Sequence, residues 1–260
     1  MLKIENVLRT NDDDGFVMKN RTIVLTGVTG FVGPFLLQEM LKRGHHVVCF
    51  VRAKSDDEAR ERVLKNLKTY EIKVDEKNIE VHRFSLICDD LGLSKIVYED
   101  LISRVTDVHH LAARVNFRDP YATLRDPNVM GVVRMMKFAS RAQNKQCRSI
   151  RFHYYSTTDV LPFRTNKSAE KLSTEFQIPR DSGYAQTKYV SEKLVSRFHE
   201  KGLRCTSFFF FLTQNQICSH SHCSFTLTHD IYVTCSTQSR YDSSTLHDWS
   251  LLLKRCDKSE

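Results

Sequence analysis

Residues 22–33 have the sequence Thr-Ile-Val-Leu-Thr-Gly-Val-Thr-Gly-Phe-Val-Gly, an apolar run followed by three spaced glycines. The β-branched run Thr22–Thr26 predicts a short buried strand. Apolar residues at helical spacing from Phe31 to Arg43 predict a helix that ends at Gly44. A glycine-rich turn in this setting suits a dinucleotide, because the backbone can approach a pyrophosphate and the helix N-terminus offers it N–H groups. The alternative is a purely structural glycine turn.

The chain continues to alternate strands and helices as far as about residue 207. Further predicted strands are Val47–Val51, Ile79–Phe84, Asp107–Ala112, Ile150–Ser156 and Arg204–Phe211, and further predicted helices are Asp56–Tyr70, Ser94–Val105, Asn128–Ala142 and Tyr184–Lys201. Because such alternation builds a parallel sheet with helices on both faces, the sequence predicts a Rossmann-type, doubly wound α/β fold.

The composition excludes several classes of protein. Of the 260 residues, 41% are hydrophobic and 27% charged, which is globular rather than disordered or fibrous. The net charge of +8 comes without a basic motif interleaved with aromatics, so we expect no nucleic-acid partner. The longest apolar run, Phe208–Leu212, is far short of the roughly 20 residues of a membrane helix, and the polar N-terminus is no signal peptide. Scattered early cysteines fit a reducing compartment, so a cytoplasmic location is expected.

The composition changes abruptly near residue 207. All nine glycines lie at or before Gly202 and all five prolines at or before Pro179, while five of the eight cysteines follow Leu203. We therefore predict an N-terminal extension over 1–18, a NAD(P)-binding domain over 19–207 and an atypical, poorly packed tail over 208–260. The tail is either an altered 3′ end translated in place of a further subdomain or an extension that folds on the sheet edge. The stretch Cys218–Cys223 has no second ligand pair, so no metal site is predicted.

Two further motifs carry chemistry. Arg52 ends the second strand, where an acidic residue would select NAD, and it can pair with a 2′-phosphate, which favours NADP; a solvated basic residue is the alternative. Tyr184 and Lys188 share a helix face, and an ammonium near a phenol favours proton transfer close to neutral pH. A surface pair is the alternative, but Ser156, Thr157 and Thr158 at the end of the fifth strand add hydroxyls at the edge where ligands bind.

Together these motifs resemble an extended short-chain dehydrogenase/reductase. The resemblance is closest to the thioester reductase domains of nonribosomal peptide synthetases, aminoadipate reductases and carboxylic acid reductases, and fatty acyl-CoA reductases are related. It covers about residues 19–207 and is carried by five segments in order: residues 48–52, 90–94, 110–117, 128–131 and 183–195.

The resemblance implies a role for each matching residue. The pyrophosphate would be held by Gly27, Thr29, Gly30, Phe31 and Gly33, the 2′-phosphate by Arg52, and the rest of the cofactor by Ala112, Ala113, Tyr184 and Lys188. Thr157, Tyr184 and Lys188 would be catalytic. The implied activity is NADP-dependent reduction of an acyl thioester, on a carrier protein or CoA, to an aldehyde. A fatty acyl-CoA reductase and an inactive NADP-binding module are the alternatives, and the oligomeric state stays open.

The sequence also departs from that family. Phe84-Ser85-Leu86 stands where the family has Gly-Asp-Leu, so weaker adenine binding is expected. After Ser207 the family continues with Arg-Pro-Gly and a long substrate subdomain, which we expect to be truncated or replaced here. The 18 residues before Lys19 are too few for a carrier or adenylation domain.

Overall fold

The computed structural model describes residues 20–157, 160, 182–212 and 231–237, with 209–212 and 231–237 described through their backbone alone. The strands are β1 (Thr22–Thr26), β2 (His46–Val51), β3 (Ile79–Arg83), β4 (Asp107–His110), β5 (Arg151–Thr157), β6 (Arg204–Leu212) and β7 (Ile231–Thr237). The helices are α1 (Gly33–Lys42), α2 (Asp56–Thr69), α3 (Lys95–Arg104), α4 (Tyr121–Arg125), α5 (Gly131–Gln146) and α6 (Gly183–Glu200), with a 3₁₀ turn at Glu76–Asn78 and a π-helical turn at Asp126–Met130.

The strands form one sheet in the order β3-β2-β1-β4-β5-β6-β7. The pairs from β3 to β6 are parallel, and β7 pairs antiparallel with β6. From β1, the strands β2 and β3 follow on one side of the sheet and β4 lies on the other side. β1 and β4 are therefore neighbours at the point where the strand order reverses. In open α/β sheets this reversal leaves a crevice at the carboxyl ends of the strands, which is where ligands bind.

Helices cover both faces of the sheet because its central strands are apolar on both sides. On one face, Phe50, Phe138 and Phe152 belong to a core that also takes in residues of α3, α5 and α6. On the other face, Leu25 and Leu37 belong to a core shared with α1 and α2. The two cores fix the sheet between two helical layers, and they leave the loops at the carboxyl edge free to build a site.

The predicted Rossmann-type α/β fold is confirmed. β1 has the predicted bounds, and the other predicted strands and helices are all present with ends that differ by a few residues. The helix predicted over Asn128–Ala142 starts at Gly131 in the structure, because Asn128 lies in the π-helical turn. The sequence predicted neither this turn nor α4 before it. β6 continues past Ser207 to Leu212, and β7 adds an antiparallel edge within the segment predicted as tail.

Two absences concern the described part of the chain. None of its helices combines the length and apolar character needed to cross a bilayer. Within the same residues, no three His, Cys, Asp or Glu side chains converge in a way that could hold a metal ion. The stretch Cys218–Cys223 lies outside the described residues.

Candidate functional site

The turn after β1 leaves no room for side chains at two of its glycines. Gly27 has a φ of +78°, and a Cβ on it would lie 2.9 Å from the Ala112 nitrogen. A Cβ on Gly33 would lie 2.5 Å from the Val28 Cα and closer still to the Gly27 carbonyl oxygen. The Gly30 N–H donates to the Gly27 carbonyl oxygen at 3.0 Å, which closes the turn. The first turn of α1 therefore packs directly on the backbone that follows β1.

The turn is tied to the end of β4 through Thr26. The Thr26 Oγ1 lies 2.9 Å from the His110 Nδ1 and accepts the Ala112 N–H at 3.0 Å. Burial lowers the pKa of His110 to about 3, and the charge of Lys188 acts in the same direction. A neutral His110 and the Ala112 N–H thus meet at Thr26, which joins the ends of β1 and β4 and places Ala112 next to the glycine turn.

Asn66, for which the sequence predicts no role, contacts the turn from the side of α2. Its Nδ2 donates to the Val28 carbonyl oxygen at 3.1 Å and to the Gly30 carbonyl oxygen at 3.0 Å. Asn66 therefore ties α2 to the backbone of the turn. No local pattern marks Asn66, because its partners lie 36 and 38 residues away in the chain.

Arg52 lies at the carboxyl end of β2, and its side chain is exposed. Its carbonyl oxygen accepts a hydrogen bond from the Arg62 guanidinium of α2. The structure therefore places a second arginine beside Arg52, and sequence reasoning missed this second arginine because it lies one helix later. Two guanidinium groups at this corner favour an anion there.

Tyr184 and Lys188 lie on the buried side of α6, with exposures of 8% and 4%. The Lys188 Nζ donates to the Tyr155 carbonyl oxygen at 2.7 Å and lies 6.0 Å from the centre of the Tyr184 ring. Phe117, from the loop after β4, makes an edge contact with the Tyr184 ring at 5.4 Å between centroids. Burial lowers the pKa of Lys188 to about 8. The structure thus brings the predicted Tyr–Lys pair to the end of β5.

Thr157 is the last residue of β5 and is half-buried, two positions after the Tyr155 carbonyl that accepts from Lys188. The preceding Ser156 is buried, and its Oγ has no hydrogen-bond partner among the described residues. Thr158 lies outside the described residues. Since β5 ends at the same edge as β1 and β4, the predicted hydroxyl belongs to the same rim as the glycine turn and Lys188.

Asn128 joins the two halves of this rim, although sequence reasoning gave it no role of its own. It is buried in the π-helical turn, where its Oδ1 accepts the Arg114 N–H at 2.7 Å. Its Nδ2 donates to the Arg114 carbonyl oxygen and to the Thr187 Oγ1, both at 3.1 Å. Asn128 therefore fastens the loop after β4 to α6. The available signal was its place in the segment Asn128–Gly131, which carries the family resemblance.

The residues at this edge suit a dinucleotide. The glycine turn offers backbone rather than side chains, and the N-cap position of α1, Val32, makes no side-chain capping bond to the first-turn N–H groups. Such a helix start attracts a phosphate group. The strand order and this turn define the class: a Rossmann-type dinucleotide-binding protein.

Comparison with known proteins narrows the class to a family. The chain belongs to the NAD-binding family described as male sterility protein, whose profile matches residues 25–208. A nicotinamide dinucleotide is therefore the class of cofactor for this site.

Relatives and solved structures agree with this family. The chain is 33% identical to the nonribosomal peptide synthetase asaC of Aspergillus flavus and 32% identical to the L-2-aminoadipate reductase large subunit of Penicillium chrysogenum. The matches cover 70% and 71% of this chain but only 18% and 14% of those proteins. The crystal structure of the terminal R domain from the myxalamid PKS-NRPS pathway matches with a TM-score of 0.65 at 35% identity, over 74% of this chain and 49% of that one. The resemblance to thioester reductase domains is thereby confirmed.

Proposed function

We propose that this chain carries the cofactor and catalytic site of an NADPH-dependent reductase that converts acyl thioesters, on a carrier protein or CoA, to aldehydes. The observation that carries the proposal is the position of Lys188. Its ammonium is held at 2.7 Å by the Tyr155 carbonyl at the end of β5, one helical turn from Tyr184 and at the same sheet edge as the glycine turn. The names of the relatives, a peptide synthetase and an aminoadipate reductase, support the choice of substrate class.

The cofactor would lie across the carboxyl edge from β2 to β5. Its 2′-phosphate would meet Arg52 with Arg62 behind it, since two guanidinium groups there favour NADP over NAD. The backbone of Gly27, Thr29, Gly30, Phe31 and Gly33 would surround the pyrophosphate. Ala112 and Ala113 would line the next stretch, and Lys188 would hold the nicotinamide ribose. When bound, the nicotinamide supplies the hydride for the thioester carbonyl carbon.

The chain's own residues would handle the carbonyl oxygen and its proton. Thr157 would donate a hydrogen bond to that oxygen as charge develops on it, and the Tyr184 phenol would deliver the proton. The positive Lys188 favours the phenolate that remains. The hemithioacetal then expels its thiol, which leaves an aldehyde. Phe117, packed on the Tyr184 ring, would hold the phenol in place.

Turnover with model thioesters tests the proposal. The purified chain is incubated with NADPH and either a short acyl-pantetheine thioester or a long-chain acyl-CoA, while NADPH absorbance and trapped aldehyde are followed. We expect aldehyde and oxidised cofactor in equal amounts, with the pantetheine thioester preferred. A preference for long-chain acyl-CoA would indicate a fatty acyl-CoA reductase instead. Tight NADPH binding with no aldehyde from either thioester would indicate a binding module instead.

A further inference from the structure

A third polar residue continues the Tyr184 and Lys188 face of α6. Glu192 follows Lys188 by four positions, so the three side chains line one stripe of the helix. The Glu192 Oε2 accepts a hydrogen bond from the Ser207 Oγ of β6 at 2.8 Å. The stripe is therefore a row of polar groups at the contact between α6 and the strands β5 and β6.

Glu192 is incompletely satisfied in this position. Its Oε1 is buried and has no hydrogen-bond partner among the described residues, and the same holds for the Oγ of Ser156. Burial raises the pKa of Glu192 to about 7, while the nearby hydroxyls of Ser207 and Ser156 and the charge of Lys188 act in the opposite direction. A carboxylate with one oxygen shielded from water and without a partner is costly unless a cation lies close by, and Lys188 is the buried cation one turn away.

Lys188 is short of anionic partners as well. Within the described residues its Nζ makes one hydrogen bond, to the neutral Tyr155 carbonyl, and lies 4.8 Å from the centre of the Tyr154 ring. Burial favours the neutral amine, and the charge of Glu192 acts in the opposite direction. The Glu192 charge therefore adds to the Tyr155 hydrogen bond and the Tyr154 ring contact, which also favour the ammonium form.

The other titratable groups around the pair do not replace Glu192. Those facing Lys188 or Glu192 from the neighbouring elements are His110 on β4, Tyr154 on β5, Cys205 on β6, and Tyr184 and Lys193 on α6. Burial raises the pKa of Tyr154 and Cys205 and lowers that of His110, so these three are neutral near pH 7. Lys193 is itself positive and cannot hold a second ammonium.

We propose that Glu192 is a positioning residue that keeps Lys188 protonated, so that an ammonium rather than a neutral amine faces Tyr184 and the cofactor ribose. The carboxylate acts through the lysine and touches neither substrate nor cofactor. Each group favours the charged form of the other, since the Lys188 charge lowers the pKa of Glu192 and the Glu192 charge raises that of Lys188. The importance of this for turnover rests on the proposed function, but the proton equilibrium itself does not.

The titration of Lys188 in the cofactor-free chain tests this directly. The full chain is labelled with ¹³Cε-lysine, and the Lys188 signal is assigned by its loss in Lys188→Arg. We expect Glu192→Gln to lower the pH midpoint of that signal by about 1 unit, the shift expected when an opposite charge nearby is lost. Glu200→Gln, which removes an exposed carboxylate from the same helix, should leave the midpoint unchanged. An unchanged midpoint in Glu192→Gln overturns the proposal.

Ser207→Ala provides a second variant that keeps the carboxylate. Loss of its hydroxyl raises the pKa of Glu192 further, so the charge forms later and the Lys188 midpoint should fall by a smaller amount. Glu192→Asp, which keeps the charge, should lie closer to the parent than Glu192→Gln. A midpoint that stays fixed or rises in Ser207→Ala contradicts the proposal even if Glu192→Gln does not fold. Because no thioester is present, failure of the proposed function leaves these outcomes unaffected.

Discussion

The glycine turn and the α6 stripe lie on either side of β4 at the same sheet edge, yet they are built differently. The turn depends on backbone, because Gly27 and Gly33 leave no space for a Cβ. The stripe depends on side chains, because Lys188 is a buried charge and Glu192 a half-buried one, and each has few partners. A site made of backbone does not tolerate a side chain at its glycines. In a site made of charged side chains, the neighbouring groups set the protonation of each charge. We therefore expect damage to the turn to affect binding first and damage to the stripe to affect turnover first.

Tyr184→Phe should give the largest effect and the cleanest separation of the two regions. Loss of the phenolic proton should reduce turnover of an acyl-pantetheine thioester by about 10²- to 10⁴-fold, the usual contribution of a positioned acid. NADPH affinity, measured by fluorescence titration, should stay within about twofold of the parent, because the aromatic ring and Lys188 remain. Unchanged turnover would remove Tyr184 from the mechanism.

Gly33→Ala should damage the other region in the opposite manner. The added methyl group meets the Val28 Cα and the Gly27 carbonyl, so α1 must move away from the turn. We expect a loss of about 1–3 kcal/mol in the free energy of unfolding, together with loss of NADPH binding. Gly44→Ala is the control for NADPH binding: a Cβ there meets nothing within 4 Å, and its φ of +78° should cost stability without affecting the turn. A Gly33→Ala chain that binds NADPH normally would show that the turn is merely structural.

Arg52→Ala should alter cofactor choice without altering the fold. In the parent chain NADPH should bind more tightly than NADH, and the substitution should reduce this difference by about 1–3 kcal/mol, the scale of a charge-assisted hydrogen bond. Calorimetric titration with both cofactors provides the ratio. Lys77→Ala removes an exposed cation from the turn before β3, at the opposite edge, and should leave the ratio unchanged. Equal affinity for the two cofactors in the parent would contradict this assignment.

His110 on β4, the strand between the glycine turn and the α6 stripe, should make the free energy of unfolding depend on pH. Burial holds the pKa of His110 at about 3 in the folded chain, below its ordinary value of 6.5. The unfolded chain therefore binds more protons, so stability present above pH 6.5 is lost as the pH falls toward 3. For His110 the loss between pH 7 and pH 5 should be about 2 kcal/mol in urea unfolding. His110→Gln should show a weaker dependence over that interval, and an equal dependence would assign the loss to other groups.

The sequence predicts the backbone-built region better than the side-chain region. Thr22–Thr26 has the predicted bounds because a short apolar run between breakers admits few alternatives. The predicted helix start at Phe31 is two residues early because the turn itself continues to Val32. The sequence predicted no role for Asn66, Arg62 or Asn128, because each acts through contacts that form only after distant segments pack.

The sequence also predicts the polar stripe of α6 only in part. The pairing of Tyr184 with Lys188 follows from helical spacing, and the same spacing extends to Glu192, but its burial against Ser207 depends on the β5–β6 edge. The sequence did not predict β7 either, because no glycine or proline marks the ends of the segment Ile231–Thr237. The roles given to Thr157, Tyr184 and Lys188 remain predictions that the variants above address.

One measurement tests most directly whether the turn and the stripe form one site. Backbone amide signals of the isotope-labelled chain are followed by NMR during titration with NADPH. We predict that amides of residues 27–33 and of residues 183–188 shift together with one common midpoint, while amides of residues 143–149, at the opposite edge of the sheet, stay in place. Shifts confined to one of the two regions, or two separate midpoints, would contradict a single dinucleotide site spanning both.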